Sequence, residues 1–139
     1  MEAVVAPSFP AAPRAVRPSE FQEEAIVKYI ISIIQPDRLD EVIEALTAAD
    51  INLMTVSDVL GRGRQKGVAE VYRSHVERGG LLHKVRIEIA VNDDFAAPTI
   101  EAIIAGARTG DIGDGKIFVL DLEQCVRIRT GETNGEAIG

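Results

Sequence analysis

Three short segments of the 139-residue sequence place basic side chains among glycines or at a two-residue spacing. Residues 61–67 read GRGRQKG, residues 109–119 read TGDIGDGKIFV, and residues 126–130 read VRIRT. Glycine leaves backbone N–H groups accessible to a ligand, and Lys or Arg adds positive charge, so each segment is suited to binding an anion. Any one of them alone is typical of a solvated surface. Together, in a chain of net charge −7, they predict a polyanion site.

The second segment has the Gly-x-x-x-x-Gly-Lys spacing of a P-loop, ending at Lys116. It is not a Walker A motif, because Ile117 replaces the Ser or Thr that binds Mg²⁺. The segment also leads from a predicted helix into a strand, which reverses the P-loop order. Two interpretations stay open from the residues alone. The segment is either a turn with Gly110 as the helix C-cap, or an anion nest completed by Lys116.

The composition, with 46% hydrophobic and 27% charged residues, is that of a soluble globular protein with one domain. The net charge of −7 argues against general nucleic-acid binding. The longest strongly apolar run, residues 29–34, is too short to span a membrane, and the N-terminus lacks the pattern of a secretory signal. We therefore expect a cytoplasmic location. The single cysteine, Cys125, excludes an intrachain disulfide and is expected to be buried or half-buried.

Three regions follow from composition. Proline and alanine dominate residues 1–25, which predicts a flexible extension. Residues 26–130 carry the periodic patterns of a folded domain, and residues 131–139 are predicted to be a polar C-terminal tail. His75 and His83 lack a third ligand in register, so we expect exposed loop histidines and no metal site.

Apolar periodicity predicts the order β-α-β, long loop, β-α-β, with a short strand after it. The strands are predicted over residues 28–34, 51–60, 85–91, 116–122 and 126–129. The helices present apolar stripes, with aspartates as N-caps: Leu39, Val42, Ile43 and Leu46 after Asp37, and Ile100, Ile103, Ile104 and Ala107 after Asp93 and Asp94. This order predicts an α+β, ferredoxin-like split βαβ domain (βαββαβ) with both helices on one face of the sheet.

The combined motifs resemble those of the PII signal-transduction proteins of nitrogen regulation. TGDIGDGKIFV is similar to the family's C-terminal signature, GRGRQKG to the opening of its long T-loop, and VRIRTGE to its closing segment. The helix opening PDRLDEV and the MTV at residues 54–56 are also similar, so the resemblance covers about residues 28–138. It implies a homotrimer of ferredoxin-like subunits with ATP or ADP bound between neighbours.

In the nucleotide site that this resemblance implies, the phosphates meet the backbone of residues 113–115 together with Lys116 and Arg64. Thr55 and Glu88 match positions near the base and ribose, while two arginines reach in from the adjacent subunit. The implied set is Thr55, Arg64, Glu88, Gly113, Asp114, Gly115, Lys116, Arg127 and Arg129.

The resemblance also implies a site for 2-oxoglutarate beside MgATP. Gln65 matches the residue that helps to coordinate Mg²⁺, and Lys66, Gly67 and Lys84 match those that hold the carboxylates. A dicarboxylate beside a triphosphate needs a metal and ammonium groups to offset charge repulsion. Where the family often has a basic residue this chain has Gln35, and we expect that substitution to weaken 2-oxoglutarate binding.

The T-loop implied by the resemblance, about residues 61–82, departs most from the family. Glu77 stands in place of the tyrosine that many bacteria uridylylate, so that modification is excluded here. Because loop contacts generally select the partner, the regulated protein is either the usual ammonium transporter or another transporter or enzyme, for example in inorganic-carbon metabolism.

Three functions fit the sequence. The favoured one is a non-catalytic sensor of ATP or ADP with 2-oxoglutarate, or alternatively an adenylate or anion sensor, for example of bicarbonate, without a 2-oxoglutarate response. A slow ATPase at Lys116 is disfavoured, because the hydroxyl after the lysine and a positioned base are both missing. A structural trimer with a vestigial site is disfavoured by the intact glycine-lysine and Arg-x-Arg segments.

Overall fold

The computed structural model describes residues 26–63 and 80–139. Its strands are β1 (Val27–Ile34), β2 (Thr55–Gly61), β3 (Leu82–Asn92) and β4 (Gly115–Leu122). Its helices are α1 (Leu39–Ala48), α2 (Ala96–Ala107) and the short α3 (Gly135–Ile138). One turn of 3-10 helix precedes α1 at Pro36–Arg38, and another precedes α2 at Asp93–Phe95. Residues 1–25 and 64–79, which hold the predicted extension and most of the predicted T-loop, lie outside the described residues.

The four strands form one sheet in the order β2-β3-β1-β4. Every neighbouring pair is antiparallel, because each βαβ half inserts one strand between the two strands of the other half. This is the topology of the ferredoxin-like split βαβ domain, so the predicted fold class is confirmed.

One face of the sheet is covered by helices α1 and α2. Alternate residues of β3, from Val85 to Val91, point to this face, as the period-two pattern predicted. They pack with Ile30 and Ile34 of β1 against Val42 of α1 and residues of α2. Burial of this continuous apolar layer is the main stabilising contribution to the fold.

The helices approach each other most closely at Gly106 of α2. A Cβ atom there would lie 2.6 Å from the Cα atom of Val42, which leaves no space for a side chain. Arg38 reinforces the contact, since its Nε donates a 2.9 Å hydrogen bond to the carbonyl oxygen of Gly106. The last turn of α2 is therefore fixed to α1 just before the chain enters the glycine-rich segment.

The other face of the sheet, called the open face below, is not covered by α1 or α2; the short α3 contacts β3 near Ala90 and Asn92. Register and alternation place the following side chains on it: Thr55, Ser57, Arg86, Glu88, Tyr29, Ile31, Ile33, Lys116, Phe118 and Leu120. Phe118 and Leu120 are each 48% exposed. Arg86 and Glu88 form an ion pair of 2.8 Å, and burial together with a hydrogen bond to Glu88 raises the pKa of Tyr29. The open face thus combines an apolar part on β1 and β4 with polar and charged residues on β2 and β3 and at Lys116.

The predicted second strand begins four residues too early. Residues 51–54 do not extend β2, because Ile51 completes the end of α1. The N–H of Ile51 donates to the carbonyl of Leu46 at 2.9 Å, and the N–H of Asp50 donates to the carbonyl of Thr47 at 3.0 Å. Asp50 has a left-handed φ of 64°. This is a Schellman closure with aspartate where glycine is usual. Ile51 is only 4% exposed, so its apolar character reflects helix capping and core packing.

The predicted last strand, residues 126–129, is wrong. The segment makes one isolated bridge, Val126 to Thr133, and then turns, with the N–H of Gly131 donating to the carbonyl of Arg127 at 2.8 Å. It has no place in the sheet, whose order ends at β4. The predicted tail contains α3, and His83 is an exposed residue of β3 rather than of a loop.

The predicted aspartate caps are also wrong, since neither helix shows a side-chain cap; the preceding 3-10 turns supply backbone bonds there. The predicted stripe of α2 is partly shifted, because Thr99, Ala102 and Gly106 are buried while Ile100 and Ile104 are half-buried. Cys125 is half-buried, as expected.

Candidate functional site

Residues 108–115, called the glycine loop below, connect α2 to β4. Gly110, Gly113 and Gly115 all have positive φ, at 95°, 104° and 116°. At Gly115 a Cβ atom would also fall 1.9 Å from the carbonyl oxygen of Ile33. The loop's path therefore requires glycine there both for its dihedral angle and for its contact with β1.

The carboxylate of Asp114 closes the glycine loop on itself. It accepts hydrogen bonds from the N–H of Thr109 at 2.8 Å, the N–H of Gly110 at 2.9 Å and the hydroxyl of Thr109 at 2.5 Å. Partial burial alone would raise its pKa, but these bonds and the nearby positive charge of Arg108 hold the pKa of Asp114 below its ordinary value. An ionised Asp114 thus fixes the first part of the loop and uses two of its N–H groups.

Gln35 joins the end of β1 to the same loop. Its side chain is buried, and its Nε2 donates a 2.6 Å hydrogen bond to the carbonyl oxygen of Gly113. From the sequence, Gln35 is notable only because it stands where the family often has a basic residue, and this hydrogen bond was not predicted. The bond depends on the pairing of Ile34 in β1 with Gly115 in β4, which no local pattern in the sequence indicates.

Two lysines lie at the same end of the sheet as the glycine loop. Lys116 is the second residue of β4, pairs with Ile33 and is exposed. Lys84 pairs with Val59 in β2, and the register that pairs Ile34 with Val85 places it beside Gln35. Positive charge therefore flanks the loop on both the β4 and the β3 side.

Thr55 and Glu88, predicted to lie near a base and ribose, are direct register partners on the open face. Glu88 stands beside Ile31 and Lys116 beside Ile33 across β1. Strand spacing and rise put Glu88 and Lys116 about 12 Å apart. The described members of the predicted site on the sheet therefore share one face, separated by a distance comparable to the length of a nucleotide.

The structure does not bring Arg127 and Arg129 to the glycine loop. They follow the far end of β4, a strand whose length is about 23 Å. Arg127 is held within its own segment by an ion pair of 2.9 Å with Glu132 and by hydrogen bonds to the carbonyls of Glu136, at 3.2 Å, and Gly139. The neighbouring Ile128 is fully exposed. In one protomer, the two predicted halves of the phosphate site are at opposite ends.

Four predicted site residues, Arg64, Gln65, Lys66 and Gly67, lie outside the described residues, as do Glu77 and His75. Across residues 26–63 and 80–139 no group of three His, Cys, Asp or Glu side chains could hold a metal ion. Within the same residues no helix is both long and apolar enough to cross a membrane.

Comparison with known proteins shows the family of this chain and agrees with its fold. The family model described as nitrogen regulatory protein P-II matches residues 27–132, so the chain belongs to that family of regulatory proteins and the resemblance of its motifs is confirmed. It is 53% identical over 114 residues to nitrogen regulatory protein GlnK1 of Methanosarcina mazei, covering 81% of this chain and 97% of that protein. It is 52% identical over 112 residues to nitrogen regulatory protein P-II of Rhizobium etli, covering 81% and 100%.

The same relationship holds among solved structures. The crystal structure of Arabidopsis thaliana PII bound to citrate is similar, with a TM-score of 0.65 and 36% sequence identity. The similarity covers 83% of this chain and 92% of the plant chain.

Proposed function

We propose that this chain is a non-catalytic PII-type signalling protein that binds ATP or ADP between neighbouring copies of itself. In this proposal 2-oxoglutarate is a second effector, and the T-loop regulates a partner transporter or enzyme. The observation that carries the proposal is the glycine loop, closed by Asp114 and flanked by Lys116 and Lys84.

The described residues fit a bound nucleotide. Because the carboxylate of Asp114 engages the N–H groups of Thr109 and Gly110, the loop keeps its shape without a ligand. The N–H groups of residues 113–115 and the ammonium of Lys116 then offset phosphate charge. Thr55 and Glu88 form the other end of the site on the open face, where they suit the hydroxyl and amine groups of a nucleoside.

A trimer is supported by two features of the protomer. The open face exposes Phe118 and Leu120, and Ile128 is fully exposed, which is unusual for large apolar residues without a partner. The separation of Arg127 from the glycine loop means that the arginines complete the phosphate site only if they come from another copy. A closed ring of identical subunits provides that arrangement at every interface.

The proposed binding of 2-oxoglutarate depends on Lys84 as a partner of its carboxylates. Lys66 and Gly67 are further partners, and Gln65 is a ligand of Mg²⁺. The citrate-bound plant relative supports this part, because it shows a related protein with a small carboxylate. Gln35 is neutral and bonded to Gly113, so it adds no positive charge for a carboxylate. We expect 2-oxoglutarate to bind only in the presence of MgATP and more weakly than with a cation at position 35.

The site holds nucleotide rather than hydrolysing it. Asp114 is one of the two carboxylates of the loop, with Asp111, and its lowered pKa and three hydrogen bonds make it a poor general base. Ile117 supplies no hydroxyl after Lys116. Signalling instead requires that different ligands favour different T-loop states, which the partner distinguishes. Glu77 excludes uridylylation at that position.

The decisive experiment is calorimetric titration of ATP and ADP, each with and without Mg²⁺ and 2-oxoglutarate. We expect Lys116→Ala to lower ATP affinity at least about tenfold, because one charge-assisted contact is lost. Lys28→Ala is the matched control, since it removes the same charge at the opposite end of the sheet, where Lys28 pairs with Asp121. Equal ATP affinity in the two variants would exclude the glycine loop as the phosphate site, and steady phosphate release lost with Lys116→Ala would favour the ATPase.

A further inference from the structure

The amide of Gln35 is an unusual anchor because it is almost fully buried at a point where two strands and a loop meet. Its residue exposure is 5%, and its Nε2 lies 2.6 Å from the carbonyl oxygen of Gly113. Burial of an amide is unfavourable unless it is hydrogen-bonded, so this contact selects one orientation of the side chain. The same contact fixes the direction of the Gly113 carbonyl.

Peptide geometry transmits that constraint to the next residue. No cis peptide bond occurs in the described residues, so the Gly113 carbonyl and the Asp114 N–H point in opposite directions from one rigid plane. When Gln35 holds the oxygen, the N–H of Asp114 is turned away from Gln35. The donor is then fixed in direction before any ligand arrives.

The glycine loop is otherwise held at points on either side of this peptide. The carboxylate of Asp114 holds residues 109 and 110, and Gly115 lies against the backbone of Ile33. Between the loop and α2 there is a cavity of about 190 Å³, lined by Ile103 and Ala107 of the helix and by Asp114 of the loop, among other residues. Gln35 acts directly on the Gly113–Asp114 peptide through its bond to the Gly113 carbonyl.

We propose that Gln35 is a positioning residue for phosphate binding, because its amide orients the Asp114 N–H as a donor to the nucleotide. This rests on the nucleotide binding proposed above and specifies how the loop is prepared for it. Gln35 contributes no charge, so its effect comes from a donor fixed in advance rather than from attraction.

The test compares Gln35→Met with Thr99→Val. Met has a similar length but no donor, and we expect it to lower ATP affinity about tenfold. Thr99→Val is the matched control, because it also removes a buried side-chain bond of 2.6 Å to a backbone carbonyl, that of Phe95, at the start of α2. We expect the control to lower the melting temperature without changing ATP affinity.

A second readout is the NMR signal of the Asp114 amide during ATP titration. A hydrogen bond to phosphate moves an amide proton downfield, so we expect that shift in the wild type and not in Gln35→Met. Suppose the wild type binds ATP but Gln35→Met binds it equally well, or Thr99→Val lowers ATP affinity as much as Gln35→Met does. Either result overturns the role of Gln35 and leaves the proposed function standing. An unshifted Asp114 signal in ATP-bound wild type has the same consequence. If the wild type does not bind ATP, the proposed function fails together with it.

Discussion

The glycine loop and the arginine segment, defined as residues 125–139, are held by similar contacts, but these contacts have opposite consequences for anion binding. Each contains a carboxylate that satisfies polar groups of its own segment, Asp114 in the loop and Glu132 beside Arg127. In the loop, the carboxylate engages N–H groups at residues 109 and 110 and leaves later ones for a ligand. In the arginine segment, Glu132 engages the guanidinium that a phosphate would need. In the nucleotide site proposed above, the loop would meet the phosphates as it stands, whereas Arg127 would first have to leave Glu132.

The comparison also bears on the proposal that a single copy of the chain does not hold the whole nucleotide site. Both regions indicate anion binding from their sequence, yet β4 separates them by its full length. In the proposed function such a divided site would bind strongly only when copies assemble, so nucleotide binding and assembly would support each other thermodynamically. The predictions below test each side of the comparison in turn.

The largest effect is expected from Gly115→Ala in the glycine loop. A Cβ atom would lie 1.9 Å from the Ile33 carbonyl oxygen at a φ of 116°, so we expect a loss of more than about 3 kcal/mol in the free energy of unfolding. Gly110→Ala is the control, because its φ is also positive but no atom lies within 4 Å, and it should cost about 1 kcal/mol. Urea unfolding measures both, and equal losses would show that the contact with β1 is unimportant.

The next prediction concerns where the arginines act. Lys116→Ala and Arg127→Ala subunits should each bind ATP poorly as pure preparations. When they are unfolded, mixed and refolded, we expect about one site in four to regain wild-type affinity, because random pairing then joins an intact loop to an intact neighbouring arginine. Calorimetry of the mixture gives the fraction of restored sites. If no site in the mixture regains wild-type affinity, Arg127 and Lys116 either act in separate sites or contribute to one site from the same copy.

The lowered pKa of Asp114 predicts an acid-sensitive loop. A carboxyl group with a lower pKa in the folded state stabilises that state above its ordinary pKa, here 3.8, and this contribution is lost progressively as the pH falls below that value. Asp114→Asn should be less stable than the wild type at neutral pH, and the difference should shrink below pH 3.8. Thermal melting of both proteins at a series of pH values checks this prediction. A difference in stability that stays constant with pH would exclude the idea that the ionised Asp114 carboxylate closes the loop.

The smallest effect is expected at Glu132. Replacing it with Gln releases Arg127 from an ion pair that is only partly buried, so ATP affinity should rise about threefold. Glu136→Gln is the control with the same charge change, because Glu136 contacts Arg127 only through its carbonyl in the described contacts. A fall in affinity at Glu132→Gln would indicate instead that Glu132 orients the arginine toward its ligand.

The fold was predictable where periodicity and burial agree. Residues 85–91 alternate cleanly because β3 is an interior strand with one face on the core, so both its type and its inward residues follow from the sequence. Ile51 misled the prediction because an apolar residue that closes a Schellman motif resembles the start of a strand. Likewise, Arg127 and Arg129 have strand-like spacing, but their segment makes a single bridge and turns at Gly131 without joining the sheet.

The glycine loop of the candidate site was predictable from the sequence, whereas the arrangement of the candidate residues around it was not. Glycine spacing and Lys116 identify the loop, since few other residues adopt its dihedral angles. The bond from Gln35 to Gly113 joins residues 78 positions apart, so no local pattern announces it. The separation of the arginines from the loop likewise depends on strand directions, which are set by the whole topology.

The interleaved strand order also has a consequence during protein synthesis. Strand β1 is made first, yet both of its neighbours, β3 and β4, belong to the second half of the chain. A ribosome that has released only the first half therefore leaves β1 with two unpaired edges and its isoleucines uncovered, which is a condition that favours aggregation. The sheet can close only after the glycine loop has emerged and β4 has followed it, so the protein must complete its fold in one late step.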